Sequence, residues 1–428
     1  MQAILAIPAF VAVLWLLSEN RRRVDWRLVA SGIALQILFG LLLLRTAPGE
    51  AAMRGLNHSF AALGSHANEG ARTFFGNLVD MTVPVTPAGE SPADDTALVA
   101  HTGALVAFSL MPVIIFIFSL TAVLYHLGIL AWIVRVTGRF MQRAMRLTGA
   151  ESLCMAGNIF LGPIQAPALV RPYMAKMTRA QLMTVLTGGL ATVDAGAVAL
   201  YAFTIREVVP DAAGHLLVAA AMSAPAAFVC ARLLVPETGD VSGAAGAEVF
   251  AEKQDANVID AASRGAAEGA RLVIAIIAIV IAFRAFISLL NALLGWGGAG
   301  FLPEGSTLSL ESILGFLLWP VAWIMGATPA ESGIIGNLIG LKTITSEFIA
   351  YLELSEASVY EELSPRGRLI AVYSLAGFTN LGTIGIMLGG IGALVPERRG
   401  EIAGLSLKAL LAGSIACFMT VSVVVLLI

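Results

Sequence analysis

Long apolar runs, separated by short polar connections, dominate the pattern along the chain. Eight of these runs approach the length of about 20 residues that an α-helix needs to cross a bilayer. They comprise residues 2–18, 28–46, 103–126, 180–205, 213–235, 266–294, 368–394 and 403–428. The pattern predicts an all-α polytopic membrane protein with eight transmembrane helices.

Two further apolar stretches, 150–172 and 310–345, are interrupted by glycine, proline and polar residues. In the first stretch Pro163 and Pro167 prevent one continuous helix, because proline lacks the N–H that a helix interior requires. Arginine and lysine gather on one side of the membrane only if both stretches enter and leave on the same side. We therefore expect two re-entrant hairpins, and both chain termini on the periplasmic side of the inner membrane.

A stripe of arginines marks the segment 127–149. Arg135, Arg139, Arg143 and Arg146 are spaced by four, four and three residues, which places them on one helix face. This spacing predicts an amphipathic helix at the inner interface, with its cations among the membrane lipid headgroups. A solvated inner loop is the alternative.

A faint internal repeat connects the two interrupted stretches. The tripeptide Ala-Glu-Ser at 150–152 recurs at 330–332, and each copy leads into a span rich in glycine. Paired interrupted segments in two halves of a chain are typical of secondary transporters, whose site lies at mid-membrane. We predict an inverted repeat. The predicted parts are an N-terminal scaffold of three spans and an outer loop (1–126), the interfacial helix (127–149), a first repeat (150–235), an inner loop (236–265) and a second repeat (266–428).

Composition excludes several classes of function. Only 13% of the residues are charged, about half the share of roughly 25% in soluble domains, so a soluble enzyme is excluded. The 26 basic and 29 acidic residues form no basic stripe, which argues against nucleic acid as a partner. The sequence contains no spacing of nucleophilic or metal-ligating residues that is typical of an enzyme, and we predict that the protein is not one.

Two carboxylates in predicted membrane segments are the first candidates for chemistry. An ionisable group there is costly and indicates function. Glu331 lies at the break of the second hairpin, where capping a helix is the structural alternative. Asp194 lies within span four, and both a structural and an ion-coupling role stay open.

Other polar residues are placed more simply. Asn380 and Thr383 lie one turn apart in span seven and share a helix face. Asn158 lies at the first hairpin, where capping is equally plausible. We interpret Lys342 and Glu347 mainly as structural or snorkelling charges.

These residues and their order resemble the concentrative nucleoside transporter family over essentially the whole chain. The matching segments are 150–160, 166–167, 170–172, 340–343, 347–348, 377–381, 388–390 and 396–400. The resemblance implies a homotrimer of eight-span protomers, each with one nucleoside site. It also implies import by an elevator movement of the hairpin-bearing core.

The resemblance further implies two sets of site residues. In the family, an acid of the second hairpin and two polar residues of span seven hold the ribose beside a phenylalanine. The matching positions here are Glu331, Asn380, Thr383 and Phe378. The family's sodium site uses an asparagine and backbone oxygens of the first hairpin and a hydroxyl residue of span four. Those positions are Asn158, Leu161, Thr192 and Val193.

The chain departs from the family at the tip that reads the base. Where the family has glutamine, serine or threonine, and glutamate, this chain has Pro163, Ile164 and Gln165. Asp194 stands where a small residue is expected, and it could restore the charge lost at Gln165 or join the ion site. Since Asn158 and Thr192 both match, we expect Na⁺ rather than H⁺ as the coupling ion, with no other cofactor.

The sequence therefore predicts an ion-coupled symporter that imports nucleosides or nucleoside-like solutes across the inner membrane. A passive channel or facilitator for small polar solutes is the alternative. Such a channel would need no acid in its core.

Overall fold

The computed structural model describes residues 2–80, 82–85, 98–101, 106–145, 147–239, 255–298 and 309–428. Within them the fold is helical, apart from one short antiparallel ribbon of β1 (Thr82–Val85) and β2 (Leu98–His101). The prediction of an all-α membrane fold is confirmed. By length and composition, five of the described helices could cross a bilayer, or seven if each of two sharply bent helix pairs is one span.

The N-terminal part places helices at the first three predicted spans. They are α1 (Gln2–Leu16), α2 (Trp26–Leu44) and α4 (Val106–His126). Between them, α3 (Ala47–Phe75) occupies much of the segment that we expected to be an outer loop. Thr46 caps α3 by accepting a hydrogen bond from the Gly49 N–H, a start signal that its sequence already carries. The start of the third predicted span, residues 103–105, lies outside the described residues.

The segment predicted to be an interfacial helix forms α5 (Ile129–Met145), which turns 75° from the end of α4. Gly128 forms the corner with φ 78°, a left-handed conformation that favours glycine. Val134, Gly138 and Met141 are buried along one face, while the three arginines at 135, 139 and 143 are exposed. The fourth residue of the predicted stripe, Arg146, lies outside the described residues.

The first repeat begins with a hairpin whose arms do not form one helix. Its helices are α6 (Gly149–Asn158), α7 (Gln165–Ala168) and α8 (Arg171–Met174). Span four follows as α9 (Arg179–Ala191) and α10 (Ala195–Thr204), and span five as α11 (Ala212–Leu234).

The second repeat follows the same plan after the long helix α12 (Val258–Gly298). Helices α13 (Leu310–Ile324) and α14 (Glu331–Ile344) meet at 117°. Then come α15 (Glu347–Leu354), α16 (Ala357–Tyr360), the two parts of span seven, α17 (Pro365–Leu375) and α18 (Leu381–Leu394), and finally α19 (Arg399–Leu427).

Spans four and seven are broken, although the sequence pattern predicted continuous helices there. Thr192 and Asp194 have extended backbone conformations between α9 and α10. Asn380 is extended before α18, and Gly377 has φ 155°. Hydropathy did not reveal these breaks, because small and apolar residues flank both of them.

A cluster of charges joins the connection after α1 to two later helices. Glu19 accepts hydrogen bonds from Arg179, with N–O distances of 2.9 and 3.2 Å, and from Lys408 at 2.6 Å. These bonds lower the pKa of the Glu19 carboxyl to about 2, and the bond from Arg179 has the largest effect. The cluster therefore favours the ionised carboxylate at neutral pH.

Candidate substrate and ion site

The breaks of spans four and seven meet in the interior of the protein. Cys417 of α19 donates its S–H to the carbonyl oxygens of both Ala191 and Ala376, at Sγ–O distances of 3.5 and 3.3 Å. A Cβ at Gly377 would lie 2.7 Å from the Cys417 sulfur, so only glycine fits this crossing. Irregular backbone at membrane depth is tolerated where protein surrounds it or where it lines a cavity, as here.

Each break ends at a polar side chain that starts the next helix. Asp194 Oδ1 accepts a hydrogen bond of 2.8 Å from the Ala197 N–H at the start of α10. Asn380 Oδ1 accepts one of 2.7 Å from the Thr383 N–H at the start of α18. Such caps satisfy backbone donors that a new helix leaves without a partner.

A cavity of about 430 Å³ lies between these caps and the ends of the two hairpins. Its volume is within the range of roughly 300–1,000 Å³ that small-molecule sites occupy. Seven of the predicted site residues line it, namely Pro163, Ile164, Gln165, Asp194, Phe378, Asn380 and Thr383. The structure therefore brings both predicted ends of a solute site together.

A second cavity of about 220 Å³ adjoins the first. Both are lined by Gln165, Asp194 and Glu268, so they meet at these side chains. Arg171 and Arg264 line the second cavity but not the first.

Glu347 is an acid of the larger cavity, and our interpretation of it as mainly structural missed this. It is the first residue of α15 and only 6% exposed. Its carboxylate accepts hydrogen bonds from the Tyr201 hydroxyl at 2.7 Å and from Asn380 Nδ2 at 2.6 Å. The signal in the sequence was the position of Glu347, at the interruption that follows the apolar stretch begun by the repeated Ala-Glu-Ser.

Glu331, in contrast, does not lie with the other predicted sugar-binding residues. Its Oε2 accepts hydrogen bonds from the hydroxyl and the N–H of Thr328, at 2.7 and 3.2 Å, and Oε1 accepts one of 2.7 Å from the Ser364 N–H. Thr328 Oγ1 in turn accepts from the Glu331 N–H. These reciprocal bonds form a capping box at the start of α14. The carboxylate is thus bonded to backbone N–H groups and to a hydroxyl, and it does not line the larger cavity, where the sequence placed it.

The first repeat contains the counterpart of this cap. Glu151 and Thr148 form the same reciprocal pair, and Glu151 also accepts a hydrogen bond of 2.5 Å from Arg232. The repeated Ala-Glu-Ser tripeptide therefore corresponds to two equivalent helix starts.

The predicted ion ligands lie around the end of α6 and the break of span four. Asn158 is 1% exposed, and its Oδ1 has no hydrogen-bond partner among the described residues. Thr192 is equally buried and donates its hydroxyl to the Gly188 carbonyl at 2.9 Å. A Cβ at Gly188 would lie 3.0 Å from Asn158 Nδ2, so the amide lies beside α9.

This arrangement suits a hard cation held by neutral oxygens. Leu161 and Val193, the other two predicted ligand positions, are buried as well. In the described part of the chain, no three His, Cys, Asp or Glu side chains gather as metal ligands. A buried amide oxygen without a donor is costly, and an oxygen-coordinated cation would remove that cost.

Comparison with protein families gives matches along most of the chain. Two models of Na⁺ dependent nucleoside transporters match residues 5–78, their N-terminus, and 215–425, their C-terminus. A third model, described as a gate for nucleoside recognition, matches residues 107–208.

Relatives match over nearly the full chain. Solute carrier family 28 member 3 of Eptatretus stoutii is 35% identical over 97% of this chain, which covers 59% of that relative. The chain thus spans less than two thirds of the length of this animal relative. The transporter YutK of Bacillus subtilis, whose function is uncharacterised, is 35% identical over 98% of this chain and 97% of its own.

A solved structure has the same fold. The transporter CNTnw, in an inward-facing substrate-bound state, superposes with a TM-score of 0.87 at 34% identity. The match covers 100% of this chain and 98% of that one. The chain is a multi-pass membrane protein and belongs to the concentrative nucleoside transporter family.

Proposed function

We propose that this protein is a symporter that imports nucleosides or nucleoside-like solutes by coupling them to an ion. The observation that carries the proposal is the buried pair of Glu347 and Asn380, which faces a cavity of suitable size. A carboxylate has about four acceptor positions, and the two bonds from Tyr201 and Asn380 leave others for hydroxyl groups. A vicinal diol such as that of ribose suits this arrangement.

Two neighbours complete the end of the cavity that would receive the sugar. Thr383 is one turn beyond Asn380 and offers a hydroxyl, and Phe378 offers an apolar ring. Fixed polar groups reject solutes that lack the matching hydroxyl, because those groups would then be buried without partners. The base would extend toward Pro163, Ile164 and Gln165.

Sodium is the coupling ion in this proposal and is transported with the solute. Its ligands would be the Asn158 side chain, the Thr192 hydroxyl and the carbonyl oxygens of Leu161 and Val193. The unpartnered Asn158 Oδ1 supports this assignment. Because these ligands belong to the first hairpin and to span four, ion binding would fix the positions of the elements that surround the cavity.

We further propose that the protein works as a homotrimer in the inner membrane, with both termini on the periplasmic side. The hairpins and broken spans would move together as an elevator. The second cavity, with Arg171 and Arg264 in its wall, would be the exit to the inner side.

Uptake into proteoliposomes tests the proposal. Purified protein is reconstituted, labelled nucleosides are supplied, and sodium and proton gradients are imposed separately. We expect accumulation above equilibrium only with an inward sodium gradient. Equilibration at the same rate after both gradients are collapsed would favour the passive facilitator, and transport of no nucleoside would refute the proposed substrate class.

A further inference from the structure

The two repeats place corresponding polar side chains around the cavity. Gln165 and Glu347 are each the first residue of a helix that follows a hairpin break. Asp194 and Asn380 each cap the second half of a broken span. All four line the same cavity, so each repeat contributes one hairpin residue and one cap.

The carboxylate and the amide occupy opposite positions in the two repeats. In the second repeat the hairpin residue is a carboxylate, Glu347, and the cap is an amide, Asn380. In the first repeat the hairpin residue is an amide, Gln165, and the cap is a carboxylate, Asp194. Each repeat thus contributes one carboxylate and one amide to the cavity wall, and Glu268 of α12 lines the first-repeat end as well.

At the first-repeat end, the carboxylate keeps an oxygen for a ligand. Asp194 Oδ1 is used by the Ala197 N–H, whereas Oδ2 receives no side-chain hydrogen bond from the described residues. A Cβ at Gly162 would lie 3.2 Å from Asp194 Oδ2 and 2.5 Å from Gln165 Oε1. Both oxygens therefore lie beside Gly162, where the two cavities meet, and neither has a side-chain donor within the described parts of the chain.

From this geometry we propose that Asp194, with Gln165, selects nucleosides whose base presents two adjacent N–H donors, as the guanine edge does. This inference rests on the proposed function. A carboxylate oxygen accepts hydrogen bonds and cannot donate them. Guanine offers N1–H and the exocyclic amine side by side, while uracil places a carbonyl on each side of its single N–H. Hypoxanthine lacks the amine.

The variant D194N tests the role of the charge. Asparagine also caps helices well, so the bond from Ala197 is kept while the anionic acceptor is lost. The double variant Q165E/D194N moves the carboxylate to the hairpin at the same end of the cavity. D25N is the matched control, since Asp25 caps α2 in the same way and does not line the cavity.

The assay measures kcat/KM for guanosine, inosine and uridine in proteoliposomes with a fixed sodium gradient. For wild type we expect guanosine to be preferred over inosine. D194N should lower guanosine uptake at least about tenfold, the effect of one lost charge-assisted hydrogen bond, and change uridine less than about threefold. Q165E/D194N should restore the preference for guanosine, and D25N should leave all ratios unchanged.

Two outcomes would overturn the inference while leaving nucleoside import intact. One is an unchanged ranking of the three nucleosides in D194N. The other is an equal loss for all three together with a higher sodium requirement, which would assign Asp194 to the ion instead. If wild type transports none of the nucleosides, the proposed function itself fails.

Discussion

Replacing Glu347 by glutamine removes one carboxylate of the larger cavity and leaves the other residues of its wall unchanged. The carboxylate accepts one hydrogen bond from Tyr201 and one from Asn380, and the side chain is almost fully buried. Glutamine has nearly the same shape. Its oxygen can still accept from Asn380, and the Tyr201 hydroxyl can turn to accept from the new amide. The fold should therefore survive E347Q.

E347Q should weaken substrate binding more than it weakens the fold. Hydrogen bonds to a charged group contribute about 1.5–3 kcal/mol each, and neutral ones about 1 kcal/mol. If the carboxylate accepts two ribose hydroxyls, the amide keeps at most one neutral bond, so the net loss is about 2–5 kcal/mol. A middle value of about 3 kcal/mol lowers kcat/KM by more than about 100-fold.

The assay pairs each variant with substrates that lack one hydroxyl. Uptake of a nucleoside and its 2′- and 3′-deoxy analogues is measured for wild type, E347Q and E331Q. Wild type should discriminate strongly against the analogues, and E347Q much less. E331Q should keep the discrimination of wild type and lose only the stability of a helix cap, about 0.5–2 kcal/mol.

This comparison decides between the two acids. If E347Q lowers uptake of a nucleoside and of its deoxy analogues by the same factor, Glu347 does not bind the hydroxyls. If E331Q is the variant that loses the discrimination, the assignment from the structure is wrong and the expectation from the sequence is right.

Three further predictions follow from other contacts. Asn158→Ala should raise the sodium concentration for half-maximal uptake at least about tenfold, because it removes a charge–dipole ligand; a sodium titration at fixed pH checks this, and an unchanged midpoint contradicts it. Replacing residues 163–165 by Gln, Thr and Glu should shift uptake toward uridine, because donors and acceptors for the base edge return; an identical substrate profile would show that the tip does not read the base. The Arg179 hydrogen bond helps lower the pKa of Glu19 below the ordinary 4.5, so its stabilisation is complete above pH 4.5 and is lost as the pH falls toward about 2. Glu19→Gln should therefore lower the melting temperature at pH 7. The loss corresponds to about 1 kcal/mol of unfolding free energy, because the cations are partly exposed. The difference in melting temperature between wild type and the variant should be smaller at pH 3. Glu50→Gln, at an exposed pair, is the control; a gap that does not vary with pH contradicts this assignment.

Much of the fold could be predicted because membrane helices are long and apolar. The runs of residues located helices at every predicted span, and the arginine spacing located α5. The polarity of residues 47–101 predicts a loop, whereas the structure has the amphipathic helix α3 there, whose apolar residues recur with helical spacing. The breaks at residues 192–194 and 376–380 could not be predicted, because they depend on packing between segments that are distant in the sequence.

The position of Glu331 away from the cavity has a physical cause that the sequence already contained. A threonine three residues before a glutamate is the pattern of a capping box, and it occurs at both Thr148 and Thr328. A carboxylate in such a box is already stabilised by backbone and hydroxyl donors. The cost of an ionisable group in a membrane segment is then offset locally, and no ligand is required to explain it.

The same reasoning identifies the positions that do face the cavity. A residue that caps a helix after a break has extended backbone, and its side chain turns toward the free N–H groups of the next helix. When the break lies in the protein interior, that side chain lies beside any space the two helix ends leave open. Asp194 and Asn380 meet both conditions, whereas Glu331 stands within a capping box at the start of a hairpin arm. In a repeat of this kind, the polar residue at the break of a span is therefore a better guide to the substrate site than the acid at the start of a hairpin arm.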